Sequence, residues 1–459
     1  MNRRILFGLI VFSLITVCSR NSVWAADTSE IEKLIEDYRQ ETKCEQVSVV
    51  VYDHGNTAFY GDKEALYQIG SMTKAFTGLA VRKLIDEGLV DEDGVVSNYI
   101  PGFTAYYDSA RVDITVRNLL EQKSGYTNRE KDYPSALETM TLSEWAGTIS
   151  GRSLTSRPGT EYAYSNVNYN LLGLIIENVS GMSYRDYMEK EILIPLGLKN
   201  TFVGRPLNSE PVEGTRLGYR RVFDFAIAVK EASIPAGYFY STAEDMGRWI
   251  EIWTGGGDIP WDLKEALSGI REQLKEEGDY YSGWELFSDG VTGHSGGTPN
   301  YSSRIVFDEE KQAGVCVLSD LNVAATTDSL CNSIFDLVSG RVPAGLNRDI
   351  WTIFDDIFTL VTVAGILLFA VLLIIKKRSV LIAFDMIFIS LFALVFILFP
   401  VIFGAGMKEI AFIWAPWSLA GGLSVIAADI LGATVKVLTG NRNADNNKTG
   451  KGQTADGYN

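Results

Sequence analysis

The feature that most constrains this chain is an abrupt change of solvent along it. Residues 357–375, "IFTLVTVAGILLFAVLLII", form nineteen positions without one charged side chain, and "KKR" at 376–378 follows at once. As a helix such a run spans the hydrocarbon of a bilayer. Two further apolar stretches, 380–403 and 410–438, predict a second and a third transmembrane helix. Lys376, Lys377 and Arg378 follow the first span, and Lys436, Arg442, Lys448 and Lys451 crowd the end of the third. Positive flanks stay in the cytoplasm. The tail, 439–459, is therefore expected inside and disordered, with the residues before the first span outside. Trp414 and Trp417 fit outer-interface anchors. Asp385 and Asp429, within the second and third spans, are expected to be structural and to reach water from the cytoplasmic end.

The other terminus agrees with that orientation. Arg3 and Arg4 precede the apolar run 5–17, and small residues follow at Ala25 and Ala26, so residues 1–25 read as an export signal. Residues 27–345 then form an extracytoplasmic domain, and 346–356 a short linker to the membrane. A net charge of −16 excludes nucleic acid as a partner, because phosphate binding needs clustered basic residues. Cys44, Cys316 and Cys331 show no metal-ligand spacing, and no metal or other cofactor is expected. Cys316, in "AGVCVLSD", reads as a buried strand residue; a Cys44–Cys331 disulfide is left open.

The domain opens with an amphipathic helix, "SEIEKLIEDYRQ", then a strand, "QVSVVVYD", a turn at "DHGN" and a second strand. Helices and long loops fill the middle, from Ser71 to about Leu274. Strand character returns in "GWELF", "VTGHSGG", "YSSRIVFD" and "AGVCVLSD", before a helix at about 326–338. This order predicts an α/β (α+β) domain whose antiparallel sheet is assembled from both termini around a helical insert.

Chemistry concentrates at three places. In "YQIGSMTKAF" a helix is predicted from Ser71, and Lys74, three residues on, shares the face of Ser71 and lies beside a row of apolar residues that includes Phe76, Leu79 and Leu84. Serine needs a base to become a nucleophile. A lysine turned inward can lose its proton near neutrality. Tyr164-Ser165-Asn166 precedes a second helix, offering a phenol to move a proton and an amide to hold a substrate amide. His294-Ser295-Gly296-Gly297 sits on a predicted strand, where glycines let a substrate backbone approach and an N–H complete an oxyanion hole.

In this order the motifs S-M-T-K, Y-S-N and H-S-G resemble those of the serine beta-lactamase and penicillin-binding-protein superfamily, in its class C-like branch. "ITVRNLLEQKSGY", "IPLGLKNTF", "PAGYFYSTAEDM" and "VFDEEKQAGVCVLSD" are similar as well, so the resemblance covers about residues 28–340. It implies a beta-lactamase/transpeptidase-like fold in a bacterial cell membrane. Ser71 would be acylated, Lys74 would take its proton and Tyr164 would assist at the leaving group. Asn166 would contact the substrate amide, and the N–H groups of Ser71 and Gly297 would bind the oxyanion. His294 and Gly296 would complete the substrate edge.

The implied activity is that of an exported, membrane-anchored serine hydrolase acting through an acyl-enzyme on a peptide-like amide, with D-amino-acid residues. One alternative is a prodrug-activating D-asparaginyl peptidase of a natural-product pathway, since such enzymes also carry three spans. The other is a beta-lactamase or a beta-lactam sensor. Histidine where penicillin-binding proteins carry lysine fits the peptidase and esterase branch. Gln122 stands where many relatives have histidine and is given no catalytic role. The oligomeric state is left open.

Overall fold

The computed structural model describes residues 28–128 and 138–451. The expected export signal lies outside the described residues. Helix α1 (Thr28–Thr42) leads into strands β1 (Val47–Asp53) and β2 (Asn56–Tyr60). β3 (Leu66–Gln68) precedes α2 (Thr73–Asp86), and α3 (Asn166–Ser180) crosses the middle of the insert. There follow a hairpin, β4 (Thr215–Gly218) and β5 (Arg221–Asp224), then β6 (Phe239–Thr242) and α4 (Ala243–Trp253). Strands β7 (Tyr280–Tyr281), β8 (Trp284–Leu286), β9 (Thr292–Thr298), β10 (Tyr301–Asp308) and β11 (Ala313–Ser319) precede α5 (Ala324–Val338). Three long helices end the described residues: α6 (Ile350–Ile374), α7 (Arg378–Phe403) and α8 (Trp417–Lys451).

The main sheet runs β7-β8-β9-β10-β11-β1-β2 and is antiparallel throughout. β1 pairs with β11, Val49 opposite Val317, so the two ends of the domain meet side by side within the sheet. Successive side chains point to opposite faces, and here both faces are covered. Val49, Val51, Val315 and Val317 pack with Ile31, Ile35, Leu330 and Ile334 of α1 and α5. Val50, Cys316 and Leu318 join the core of the insert. A strand buried on both sides reads as an unbroken apolar run, hence "VSVVV" and "AGVCVLS". Tyr38 of α1 fastens this layer, its hydroxyl lying 2.8 Å from Ser319 Oγ and 3.0 Å from Thr327 Oγ1.

Cys44, Cys316 and Cys331, the cysteines among the described residues, are free. Cys44 Sγ lies 3.0 Å from Asp320 Oδ1, past the end of β11, whereas Cys331 Sγ lies 3.4 Å from the carbonyl of Val315. Four to five strand residues separate those points, about 13–17 Å, well beyond the reach of a disulfide.

Among the described residues three helices are long and apolar enough to cross a membrane: 350–374, 378–403 and 417–439. The first starts at Ile350, so the second half of the linker is helical. Its first half is tied down, because Asp349 accepts from the N–H groups of Trp351 and Ala325. The third span starts at Trp417, and Ile410–Trp414 forms a separate turn before it. The tail expected to be disordered continues α8 through Lys451. Elongation from a formed span adds one hydrogen bond per residue without a new nucleus. Asp429 does not reach water: it is fully buried, packed beside Gly365 of α6.

The β4–β5 hairpin, unforeseen in the sequence, docks the domain onto these helices. Its turn residues Tyr219 and Arg220 have φ of 55° and 60°, and both N–H groups donate to Asp355 of α6 at 2.9 and 2.6 Å. Ser418 Oγ donates to the same carboxylate at 2.6 Å. Arg216 is buried between Phe225 and Trp417, and its guanidinium donates to the carbonyls of Ala411, Phe412 and Ala415. These are carbonyls that the 410–414 turn leaves without internal partners. Burial pulls the Arg216 guanidinium down to about 10.

Candidate active site

Two elements present Ser71. β3 pairs with β6, and Ile69 N–H continues that ladder to Phe239 O at 2.9 Å. Gly70, with φ of +51°, then turns the chain into a short 3-10 turn, Gly70–Met72, which α2 prolongs. Glycine is required there twice. The dihedral is left-handed, and a Cβ would stand 2.6 Å from Gly297 N. At Gly296 a Cβ would stand 2.1 Å from Ile69 O. This close approach lays β9 against the turn that carries Ser71.

Lys74 is fully buried although its helix begins only one residue earlier. Its Nζ lies 3.1 Å from Ser71 Oγ, 2.8 Å from Asn166 Oδ1 and 2.6 Å from Ala236 O. The rings of Tyr164 and Tyr169 stand 4.8 and 5.6 Å away. Burial holds the lysine well below its ordinary pKa. The three neighbours suit a neutral amine: two N–H groups for the acceptors Asn166 Oδ1 and Ala236 O, and a lone pair for the Ser71 hydroxyl.

Tyr164 Oη is buried near Ser71 without a full hydrogen bond to any described group, and burial pushes its phenol up. His294 is buried too, its ring centroid 6.0 Å from that of Tyr164 and 5.9 Å from that of Tyr280. Its Nδ1 lies 2.6 Å from Ser295 O. A carbonyl only accepts, so Nδ1 carries the proton and Nε2 presents a bare lone pair. Burial, joined at acid pH by the charge of protonated Lys74, lowers His294 to about 3, so the ring is neutral at physiological pH.

Ser165 does not enter the pocket; its Oγ caps α3 by accepting from Val167 N. Ser295 points the other way, to Asp328 at 2.9 Å. Gly297 is exposed with open space where a side chain would stand. β8 pairs with β9 only at Thr292 and Gly293, so the edge from His294 to Thr298 carries no neighbouring strand among the described residues.

The sequence reading missed Gln122. It is buried, with φ of +58°. Its Oε1 accepts from Ser165 N at 3.0 Å and from Asn168 Nδ2, and its carbonyl accepts from Ala163 N at 2.8 Å. One side chain thus clamps the segment that carries Tyr164 and Asn166. Asn128 Oδ1 adds a bond from Asn166 N at 2.7 Å. A non-glycine residue in a left-handed turn leaves no sequence signal beyond the polar "EQKSGY". Among the described residues no cluster able to hold a metal ion occurs.

The structure thus gathers a buried lysine, the serine beside it at the start of α2, the Y-S-N segment and the H-S-G strand into one candidate site. The beta-lactamase family model matches residues 31–332, and the chain belongs to that family. Protein flp of Staphylococcus aureus (strain N315) is 31% identical over 317 residues, covering 64% of this chain and 63% of that protein. Penicillin-binding protein 4* of Bacillus subtilis (strain 168) is 27% identical, covering 53% of this chain and 58% of that protein. This chain thus matches about three fifths of the length of these relatives. The octameric penicillin-binding protein homologue from Pyrococcus abyssi shares the fold, with a TM-score of 0.60 at 22% identity over 72% of this chain and 81% of that one.

Proposed function

We propose that this chain is an exported, membrane-anchored serine hydrolase that cleaves a peptide-like amide, with D-configured residues, through an acyl-enzyme. The observation that carries the reading is Lys74, fully buried and 3.1 Å from Ser71 Oγ. The neutral amine takes the serine proton as Oγ attacks the substrate carbonyl. The developing oxyanion meets the N–H groups of Ser71 and Gly297. Tyr164, neutral because it is buried, passes a proton from the Lys74 side to the leaving amine. Asn166 Oδ1 positions Lys74, and its amide N–H₂ is left to contact the substrate amide.

The open edge from His294 to Thr298 suits an extended substrate, whose backbone would add as a further strand. A neutral His294 brings no fixed charge for a substrate carboxylate. That favours amides and esters over a free C-terminal carboxylate, although one structural neighbour is described as a beta-lactamase/D-alanine carboxypeptidase. With the catalytic domain outside, "KKR" at 376–378 and the tail lie in the cytoplasm.

The test is a substrate screen of the purified full chain against acyl-D-amino-acid amides, their L-counterparts, D-alanyl peptides, nitrocefin and simple esters. Turnover of D-amides well above the L-series supports the reading; turnover of nitrocefin alone replaces it with a beta-lactamase.

A further inference from the structure

The seam between the catalytic domain and the first span encloses a cavity of about 150 Å³. Its walls include Glu41 and Lys43 at the end of α1, Arg220 of the β4–β5 turn, Arg348 of the linker, and Thr352 and Asp356 of α6. The active site lies elsewhere, between α2, α3 and β9, and shares none of these residues.

Depth, charge and an unpaired hydroxyl point to one ligand class. Thr352 and Asp356 occupy the first two turns of α6, beside Trp351 and above the exposed apolar residues Ile357 and Leu360. Trp414 and Trp417 lie at the same end of the bundle, where interfacial aromatics sit at headgroup level. The lining is zwitterionic. Lys43, Arg220 and Arg348 bring positive charge; Glu41, Asp355 and Asp356 bring negative charge. Asp355 is occupied by the two hairpin N–H groups and Ser418. Asp356 is shared by both arginines, and Arg348 also reaches Glu41. Both arginine side chains are nonetheless well exposed, at 67% and 46%, with N–H groups to spare. Thr352 is buried, yet its Oγ1 has no hydrogen-bond partner among the described residues.

We propose that this cavity binds the headgroup of an amine-bearing zwitterionic phospholipid from the leaflet facing the catalytic domain. Its phosphate lies on the Arg220 and Arg348 guanidinium groups, with Thr352 donating to a phosphate oxygen, and its ammonium faces Glu41. Guanidinium matches phosphate in two-pronged geometry. A purely anionic ligand would meet Glu41 and Asp356 in repulsion, and an uncharged one would leave the Thr352 hydroxyl and the spare arginine N–H groups unused. The bound lipid would fill the seam that the β4–β5 hairpin and α6 leave open.

A lipid headgroup and a soluble phosphate ester share this chemistry, and the experiment separates them. The full chain is purified in detergent, stripped of lipid, and titrated with dioctanoyl phosphatidylethanolamine, dioctanoylglycerol, O-phosphoethanolamine and inorganic phosphate, with binding read by native mass spectrometry. The phospholipid should bind about tenfold or more tighter than either half of itself. Thr352→Val keeps the side-chain shape and should weaken that binding by about two- to tenfold, the value of one hydrogen bond. Arg220→Ala/Arg348→Ala should weaken it further, and Lys408→Ala, outside the cavity, should not change it. Thermal unfolding of each lipid-free variant checks that it is folded, and Thr352→Val decides the matter if the double variant is not. Equal binding of dioctanoylglycerol, equal binding of phosphoethanolamine, or unchanged binding by Thr352→Val would each overturn the proposal.

Discussion

Replacing Gln122 by leucine tests whether one buried amide holds the second motif in place. The glutamine oxygen serves Ser165 N–H at 3.0 Å and Asn168 Nδ2, and Gln122, Ser165 and Asn168 are all fully buried. Leucine matches the volume but leaves both donors without an acceptor. Each buried donor so orphaned costs about 1–3 kcal/mol. The sum, about 2–6 kcal/mol, should lower the Tm of the detergent-purified protein by roughly 3–10 °C in a domain of this size. On the proposed mechanism kcat should fall more than KM changes, because Tyr164 and Asn166 lie against Lys74 while Gln122 does not. Gln122→Glu retains an acceptor oxygen and should recover most of the kcat. The readouts are differential scanning fluorimetry and steady-state kinetics on whichever amide the screen returns. A Gln122→Leu protein with unchanged Tm and kcat would refute the clamp; a lower Tm with normal kcat would make it structural only.

Three more outcomes follow from the same geometry. Ser71→Ala should abolish covalent labelling by a fluorophosphonate, whereas Ser165→Ala should keep it and lose about 1 kcal/mol of stability, the cost of an N-cap; labelling at Ser165 in the first variant would overturn both assignments. His294 titrates near 3 folded and near ~6.5 unfolded, so below pH 6.5 the unfolded chain binds the extra proton and stability falls as pH drops towards 3. The loss at pH 4 should be about 3 kcal/mol, flattened in His294→Gln, while kcat/KM should show no descending limb near pH 6.5; such a limb, absent in His294→Lys, would mean that the imidazolium is needed. Arg216→Lys loses the fork that serves three carbonyls and should raise hydrogen exchange across 215–224 by about tenfold or more, a cost of at least one hydrogen bond; unchanged exchange would mean the hairpin is held by Asp355 alone.

How much of this was legible depends on the range of the interactions. The sheet announced itself because "VSVVV" and "AGVCVLS" are buried on both faces, and the spans because each is a long apolar run with few charges. The three motifs could be located because each depends on residues adjacent in sequence. What the sequence concealed is what joins distant segments. Gln122 reaches 43 residues to Ser165, and Ala236 O lies 162 residues from Lys74. The β4–β5 hairpin was invisible because its turn is Tyr219-Arg220, with positive φ but neither glycine nor asparagine. Asp429 looked close to the cytoplasmic end in sequence, yet packing against Gly365 removes it from water. The Cys44–Cys331 pairing could be judged only once β11 fixed the distance between them.

The claim on which the rest depends is that Lys74 is neutral at working pH and takes the Ser71 proton. Its most direct test is the rate of Ser71 acylation by a fluorophosphonate, measured by intact-protein mass spectrometry from pH 5 to 10.5. Because burial lowers the lysine well below its ordinary value near ~10.4, the rate should rise with one proton and reach a plateau well before pH 10. Lys74→Arg should remove the plateau along with most of the rate, since guanidinium stays protonated across the range. A wild-type rate that climbs without levelling to pH 10.5, or an arginine variant acylated at the wild-type rate, would contradict the account.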